Sequence, residues 1–199
     1  AVAASALLPQ ADARAQAVAP HGDAIYTPAP GQTGKDVMWL GTPDAMVAAM
    51  LKAARTGPAD FVADLGAGDG RIAIAAARDF GARALGIEYD PKMAALAARN
   101  AARAGVGDRV RIVEGHTFKE DCARARVVTL YLLPELNLQL RPTILAMTPG
   151  TRVVSYQFTM AEWEPDQLIR GPTWDAYLWI VPATVAGRWR VADESGRDV

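Results

Sequence analysis

The sequence is poor in the residues that build disulfides and metal sites, since its 199 residues include one cysteine and two histidines. The single Cys122 excludes an internal disulfide and a zinc site made of several cysteines. His21 and His116 lie far apart along the chain, so the pattern predicts no metal site. The formal net charge of −1 lacks the basic excess typical of nucleic-acid-binding proteins. We therefore expect no metal and no nucleic-acid partner.

Long hydrophobic runs are also absent, because no apolar stretch approaches the roughly 18 residues of a membrane-spanning helix. We expect a chain that does not span a membrane. Residues 1–17 are rich in alanine, and the small residues Ala15 and Ala17 suit the cleavage site of a secretory signal. A disordered alanine-rich extension is an equally good interpretation. Residues 18–35 are rich in Pro, Gly and Thr and predict an irregular arm.

After this extension and arm (1–35), residues 36–199 are predicted to form one α/β domain. Short apolar runs alternate with helical patterns: predicted strands cover 61–65, 83–88, 109–114 and 127–131, and predicted helices begin at Thr42 (as N-cap), Arg71, Asp90 and Pro134. Further apolar runs follow at 153–158, 176–181 and 185–191, the last two predicting an antiparallel hairpin. The order predicts a Rossmann-like, doubly wound sheet of seven strands that is mostly parallel, with an antiparallel C-terminal hairpin.

The most informative stretch is Asp-Leu-Gly-Ala-Gly-Asp-Gly-Arg, residues 64–71, where a predicted strand gives way to a helix. Its glycines, Gly66, Gly68 and Gly70, would let the backbone approach a ligand closely, and free N–H groups at the helix start would hold a carboxylate. A dinucleotide-binding loop would have its third glycine at position 71, which is Arg71. The loop therefore predicts a nucleotide-like ligand other than a dinucleotide.

Two acidic residues end the next two predicted strands. Glu88 follows Asp64 by twenty-four positions, close to where a Rossmann-like site has the acid that binds ribose hydroxyls. Glu114 ends the third strand, and Gly115 and His116 follow where an adenine-facing polar group would lie. Loop residues with partners inside the protein are an equally good interpretation of this second group.

Together, residues 64–71, Glu88 and Tyr131-Leu-Leu-Pro134 resemble the class I, seven-stranded S-adenosylmethionine-dependent methyltransferases. More narrowly, the chain resembles the small family that includes the mitochondrial lysine methyltransferases of the adenine nucleotide translocase and the ATP synthase c subunit, with bacterial relatives. The resemblance runs from about Asp36 to Trp163. Its four blocks occur in order at 39–43, 64–71, 129–137 and 149–155.

This resemblance implies that S-adenosylmethionine is the cofactor. Asp64, Gly66 and Gly68 would hold its methionine end, Glu88 its ribose, and Thr42 the mouth of the pocket. The full set of predicted cofactor-binding residues is Trp39, Thr42, Asp64, Gly66, Ala67, Gly68, Gly70, Glu88, Tyr89, Glu114, Gly115 and His116. Two positions depart from the family pattern: Gly41 predicts a looser entry loop, and His116 stands where the family tends to have Asp.

The resemblance also implies that residues after the fourth strand face the methyl group. Tyr131 is predicted to shape the acceptor channel and Glu135 to accept a proton, which makes them the candidate catalytic residues. Methyltransferases that act on the amino group of adenine or glutamine usually have Asp or Asn, then Pro-Pro and an aromatic residue, at this place. Tyr131-Leu-Leu-Pro134 has no amide or acid there. We therefore expect a protein-lysine N-methyltransferase with a protein substrate.

Two alternatives stay open at this point. The chain could be a small-molecule O- or N-methyltransferase, or a protein that binds S-adenosylmethionine without turnover. The cytosolic supply of this cofactor favours a cytoplasmic location, whereas the signal-like N-terminal segment leaves export to the periplasm open. The sequence predicts no oligomeric state.

Overall fold

A computed structural model describes residues 21–32, 39–120, 122–183 and 197. Its elements alternate as the sequence predicts, with one further strand near the end. In chain order they are α1 (Asp44–Ala53), β1 (Phe61–Leu65), α2 (Arg71–Phe80), β2 (Arg83–Glu88), α3 (Pro91–Arg103), β3 (Val110–Glu114), β4 (Val127–Leu130), α4 (Pro134–Leu145), β5 (Arg152–Tyr156), β6 (Gln167–Ile169) and β7 (Ala176–Ile180).

The strands form one seven-stranded sheet in the order β3-β2-β1-β4-β5-β7-β6. Strands β1 to β5 run parallel, and β7 pairs antiparallel with both β5 and β6. The prediction of a doubly wound, mostly parallel sheet with antiparallel C-terminal strands is confirmed. Because β1 lies between β2 and β4, the strand order reverses at β1, and the carboxyl ends of these strands border a crevice where such sheets bind ligands.

Helices cover both faces of the sheet, so the central strands are buried on each side. One hydrophobic layer contains side chains of α1 and α2, and the other contains Leu140 and Ile144 of α4 with the fully buried Trp179. This burial explains why β1 and β4 have almost uninterrupted apolar sequences. The helices in the described ranges are all too short or too polar to cross a bilayer.

Two details differ from the sequence-based expectations. The predicted strand 185–191 lies outside the described residues, so that strand stays a prediction. An unpredicted strand, Gln167–Ile169, pairs with β7 and has three residues with two exposed positions. So short and exposed a strand leaves no apolar run in the sequence. Helix α1 has Pro43 rather than Thr42 at its N-cap, since the N–H groups of Met46 and Val47 donate to Pro43 O.

Candidate active site at the carboxyl ends of the central strands

A cavity lies at the carboxyl ends of β1, β2 and β4, where the strand order reverses. Most of the predicted site residues line it: Trp39, Thr42, Asp64, Gly66, Ala67, Gly68, Glu88, Tyr89, His116 and Tyr131. Four predicted site residues lie outside its lining: Gly70, Glu114, Gly115 and Glu135. The cavity also has lining residues outside the predicted set of site residues: Gln32, Leu40, Gly41, Asp69, Arg71, Ile72, Asp90, Met93, Thr117, Phe118, Leu132 and Leu136.

Asp64, the second-last residue of β1, is a buried carboxyl group with one oxygen that has no hydrogen-bond partner. Thr129 of β4 donates its hydroxyl to Asp64 Oδ1 at 2.7 Å, while Oδ2 has no hydrogen-bond partner. Burial raises the pKa of Asp64 to about 7, against the smaller lowering effect of the Thr129 hydrogen bond. An unpartnered carboxylate oxygen in a buried site is costly. Since Asp64 lines the cavity, it fits a ligand that brings an ammonium group.

Glu88 is held by backbone donors on both sides of its carboxylate. Gly68 N–H donates to Oε2 at 2.7 Å and Asp90 N–H donates to Oε1 at 2.9 Å. Burial raises the pKa of Glu88, although these backbone hydrogen bonds oppose the effect. Each carboxylate oxygen keeps a further lone pair, so the fixed group fits a pair of vicinal hydroxyls.

The three glycines of the loop all have positive φ, but they have different neighbours. A Cβ on Gly66 would lie 2.8 Å from Leu132 Cδ2, and one on Gly68 would lie 2.7 Å from Trp39 Nε1, both in the cavity wall. A Cβ on Gly70 would instead lie 3.0 Å from Ala97 Cβ. Gly70 therefore allows α2 and α3 to pack closely, away from the cavity.

Arg71 connects the entry loop, which contains Gly41 and Thr42, to the glycine loop at residues 64–71. Its guanidinium forms a buried ion pair with Asp69 at 2.5 Å and donates from Nη1 to Thr42 O at 2.8 Å. A Cβ on Gly41 would lie 2.8 Å from the Arg71 guanidinium, so only glycine leaves room for this contact. Glycine at position 41 thus leaves space for the contact that anchors Thr42, and the looser entry loop stays a prediction.

Part of the N-terminal arm, residues 21–32, is hydrogen-bonded to the rim of the cavity. Trp39 pairs through its backbone with Gly31 and Gln32, at 2.9 and 3.0 Å. Asn100 of α3 donates from Nδ2 to His21 O and to Asp69 O, both at 2.8 Å. The arm and the glycine loop therefore share one buried amide as a support.

Aromatic rings form the wall beyond Glu88. His116 makes an edge contact with Tyr89 at 5.4 Å and a tilted contact with Phe118 at 5.3 Å between ring centroids. Such a wall fits a flat aromatic base. Glu114 is exposed, a Cβ on Gly115 would meet Glu120 Oε1, and neither residue lines the cavity.

The opposite wall, beside β4, consists of Tyr131, Leu132 and Leu136. The Tyr131 ring packs edge-on against Tyr156 at 4.8 Å. Burial, with a smaller effect of Tyr156, raises the pKa of Tyr131 to about 12. Glu135 lies exposed in the first turn of α4, outside the cavity lining. This wall is therefore mainly apolar, with one neutral hydroxyl.

Comparison with known proteins agrees with this arrangement. The model of a protein family described as the ANTKMT methyltransferase domain matches residues 64–167. The chain belongs to this family. It is therefore an S-adenosylmethionine-dependent methyltransferase, as the resemblance of its motifs predicts.

The chain is similar to three proteins of known type. The chain is 40% identical over 136 residues to a protein-lysine N-methyltransferase of Saccharolobus islandicus, covering 67% of this chain and 84% of that protein. It is 33% identical to the Xenopus laevis lysine N-methyltransferase of the ATP synthase c subunit, covering 57% of this chain and 49% of that protein. A solved RNA methyltransferase from Salinibacter ruber, in complex with S-adenosyl-L-homocysteine, has a TM-score of 0.72 and 43% identity over 75% of this chain and 98% of its own.

The cavity of this methyltransferase fits S-adenosylmethionine by the chemistry of its donors and acceptors. The unpartnered Asp64 oxygen suits the amino group, the Glu88 carboxylate suits the ribose hydroxyls, and the wall at Tyr89 and His116 suits the adenine. In the described ranges, no group of three His, Cys, Asp or Glu side chains is arranged to hold a metal ion.

Several residues that shape the site carry little or no sequence signal. Arg71 is noticeable in the sequence only because a dinucleotide-binding loop would have glycine at that position. Asn100 is one polar residue within an alanine-rich helix. Gln32 and Phe118 come from loops without a motif. Among these residues only Arg71, next to the glycine loop, offers a sequence signal.

Proposed function

We propose that this methyltransferase transfers the methyl group of S-adenosylmethionine to a lysine ε-amino group of a protein substrate. The supporting observation is the acceptor wall, where Tyr131, Leu132 and Leu136 provide no amide or carboxylate to clamp a planar amino group. The names of the relatives from Saccharolobus islandicus and Xenopus laevis support a lysine acceptor in a protein.

A lysine must lose its charge before it can attack, since its free pKa is about 10.4. Apolar surroundings favour the neutral amine because they desolvate the ammonium form. The two leucine side chains and the tyrosine ring of the acceptor wall would supply these surroundings. When bound, S-adenosylmethionine would supply the methyl group, and the electrons of the broken S–C bond would go to sulfur as the N–C bond forms. The protein's main contribution to such an in-line transfer is alignment.

No strong base is required by this scheme. The raised pKa of Tyr131 keeps its hydroxyl neutral, so this group can orient the amine without taking its proton. Glu135 stays a candidate proton acceptor, although it lies outside the cavity lining. We infer that water at the open side of the acceptor wall receives the proton.

An RNA acceptor is the second candidate, favoured by the 43% identity to the Salinibacter ruber RNA methyltransferase. The formal net charge of −1 argues against it, because RNA binding relies on neutralising phosphates. Small-molecule transfer, or cofactor binding without turnover, stays open as a further outcome of the test below.

The experiment supplies S-adenosylmethionine labelled on its methyl group to the purified enzyme, with a bacterial extract separated into protein, RNA and small-molecule fractions. The matched control is Gly66→Ala, which has a Cβ directed at Leu132 in the cavity wall. We expect label in the protein fraction, recovered as methyl-lysine after digestion and mass spectrometry, and none with the control variant.

Label confined to RNA or to small molecules would contradict the lysine proposal while keeping the methyltransferase. Cofactor binding by calorimetry with no labelled product in any fraction would favour a protein without turnover.

A further inference from the structure

The Tyr131 hydroxyl has a defined hydrogen-bond partner. It donates to Gln157 Oε1 at 2.9 Å, and the ring is held between Tyr156 and Phe158, with centroid distances of 4.8 and 6.4 Å. A phenol has one hydrogen to donate and lone pairs that accept. With its hydrogen bound to Gln157, the Tyr131 oxygen can only accept from a third group.

Gln157 adopts an unusual backbone conformation to make this contact. Its φ is 68°, in the left-handed region that non-glycine residues rarely occupy. Phe158 N–H donates to Tyr156 O at 2.8 Å, which closes a γ-turn centred on Gln157. A γ-turn with positive φ is rare and strained. Strained residues persist where the surroundings hold them, and they cluster at functional sites.

The turn is held from two sides. Gln157 N–H donates to Asp175 O at 2.8 Å, just before β7. Asn137 of α4 is fully buried and lies with Nδ2 at 3.1 Å from Ser155 Oγ and at 3.4 Å from both Phe158 O and Thr159 O. The contacts from α4 and from the β7 side hold the backbone turn at Gln157, and the Tyr131 hydroxyl binds its side chain.

We propose that Gln157 is a positioning residue for methyl transfer, because by binding the Tyr131 hydrogen it turns the Tyr131 oxygen into an acceptor for an N–H of the lysine amine. This role rests on the proposed lysine acceptor. An amine whose N–H is bound in this way has a fixed lone-pair direction. Without Gln157, the Tyr131 hydroxyl is free to donate to that lone pair and block the attack.

The test measures methyl-lysine formation on the protein fraction of a bacterial extract at saturating S-adenosylmethionine. We expect Gln157→Ala to lower the rate about tenfold, as one directed hydrogen bond is lost. Gln157→Glu keeps an acceptor oxygen and should retain the rate within about threefold. The KM and the calorimetric affinity for S-adenosylmethionine should stay unchanged in both, since Gln157 is not part of the cavity lining.

Two further variants separate the side chain from the turn. Gln157→Gly relaxes the left-handed backbone yet removes the amide, so we expect the same tenfold loss as in Gln157→Ala. Arg55→Gly is the matched control, because Arg55 is exposed, has a φ of 49° and follows α1. It should leave the rate unchanged. A normal rate in Gln157→Gly would overturn the proposal, since the side chain would then have no role.

A double mutant gives the decisive comparison. Tyr131→Phe removes the hydroxyl through which Gln157 acts, so adding Gln157→Ala should cause no further loss. A multiplied loss in the double variant would overturn the positioning role. Absence of methyl-lysine with the unmodified enzyme would contradict the proposed function itself, which is a different result from normal turnover in Gln157→Ala.

Discussion

The two ends of the cavity are built in different ways. The core of the cofactor end is one continuous run, residues 64–71, completed by Glu88 on the neighbouring strand. The acceptor wall begins at Tyr131 and is supported from outside the cavity lining by two separate segments that carry Asn137 and Gln157. A continuous run has a recognisable spacing, whereas an assembled wall exists only after folding. The sequence therefore identifies the methyl donor more directly than it identifies the methyl acceptor.

The strongest test of this contrast is Gly66→Ala, which should act mainly on cofactor binding. The added Cβ meets Leu132 at 2.8 Å in the cavity wall, at a φ of 81°. We expect the affinity for S-adenosylmethionine to fall by at least about a hundredfold in calorimetry, because the backbone at this position must approach the ligand closely.

Gly150→Ala is the matched control for that loss. Gly150 also has a positive φ, 84°, but a Cβ there meets nothing within 4 Å. It should cost about 1–2 kcal/mol of unfolding free energy and leave the affinity unchanged. Equal affinity losses in the two variants would show that general strain, and not the cavity, explains the effect.

The second prediction compares a buried ion pair at the cofactor end with an exposed one. Asp69→Asn breaks the pair with Arg71, whose side chains are 2% and 4% exposed, and leaves an uncompensated buried charge. We expect a loss of about 3–5 kcal/mol in the free energy of unfolding, measured by urea denaturation.

Asp79→Asn is the control, since the Arg78 and Asp79 side chains are 56% and 44% exposed. It should change stability by about 0–1 kcal/mol. Similar losses in both variants would mean that the Asp69–Arg71 pair does not anchor the entry loop.

Features encoded in a local run of residues were predicted from the sequence, whereas features assembled from distant segments were not. The parallel core follows from apolar runs and from punctuation such as Asp90-Pro91, where Asp90 caps α3 through Lys92 N–H and Met93 N–H. Strand β6 escaped prediction because three residues with two exposed side chains carry no pattern. Gln157 escaped because its left-handed turn depends on contacts from α4 and the β7 side that no local window contains.

The third prediction concerns pH and the Asp64 carboxyl, whose pKa is raised to about 7. An ammonium ligand requires the charged carboxylate, so binding below pH 7 must release a proton. We expect calorimetric affinity for S-adenosylmethionine to fall up to about tenfold per pH unit as the pH drops below 7. Asp64→Asn should bind more weakly and show a flatter profile.

The unliganded protein should respond to pH in the opposite direction. The folded pKa of Asp64 lies above its ordinary value of 3.8, so the folded state holds the extra proton between these limits. Its contribution to stability is present below pH 4 and is lost as the pH rises through 7. Asp64→Asn should lack this part of the pH dependence. An unchanged profile in that variant would assign the titration to another group.

The smallest expected effect is at the acceptor end, where Glu135→Gln tests the predicted proton acceptor. Glu135 is exposed in the first turn of α4 and lies outside the cavity lining, so water can receive the proton in its place. We expect less than about a twofold change in the rate of methyl-lysine formation, since a removed general base usually costs about a hundredfold or more. A loss of that size would instead make Glu135 a catalytic base, and the local sequence after β4 would then have identified part of the acceptor end.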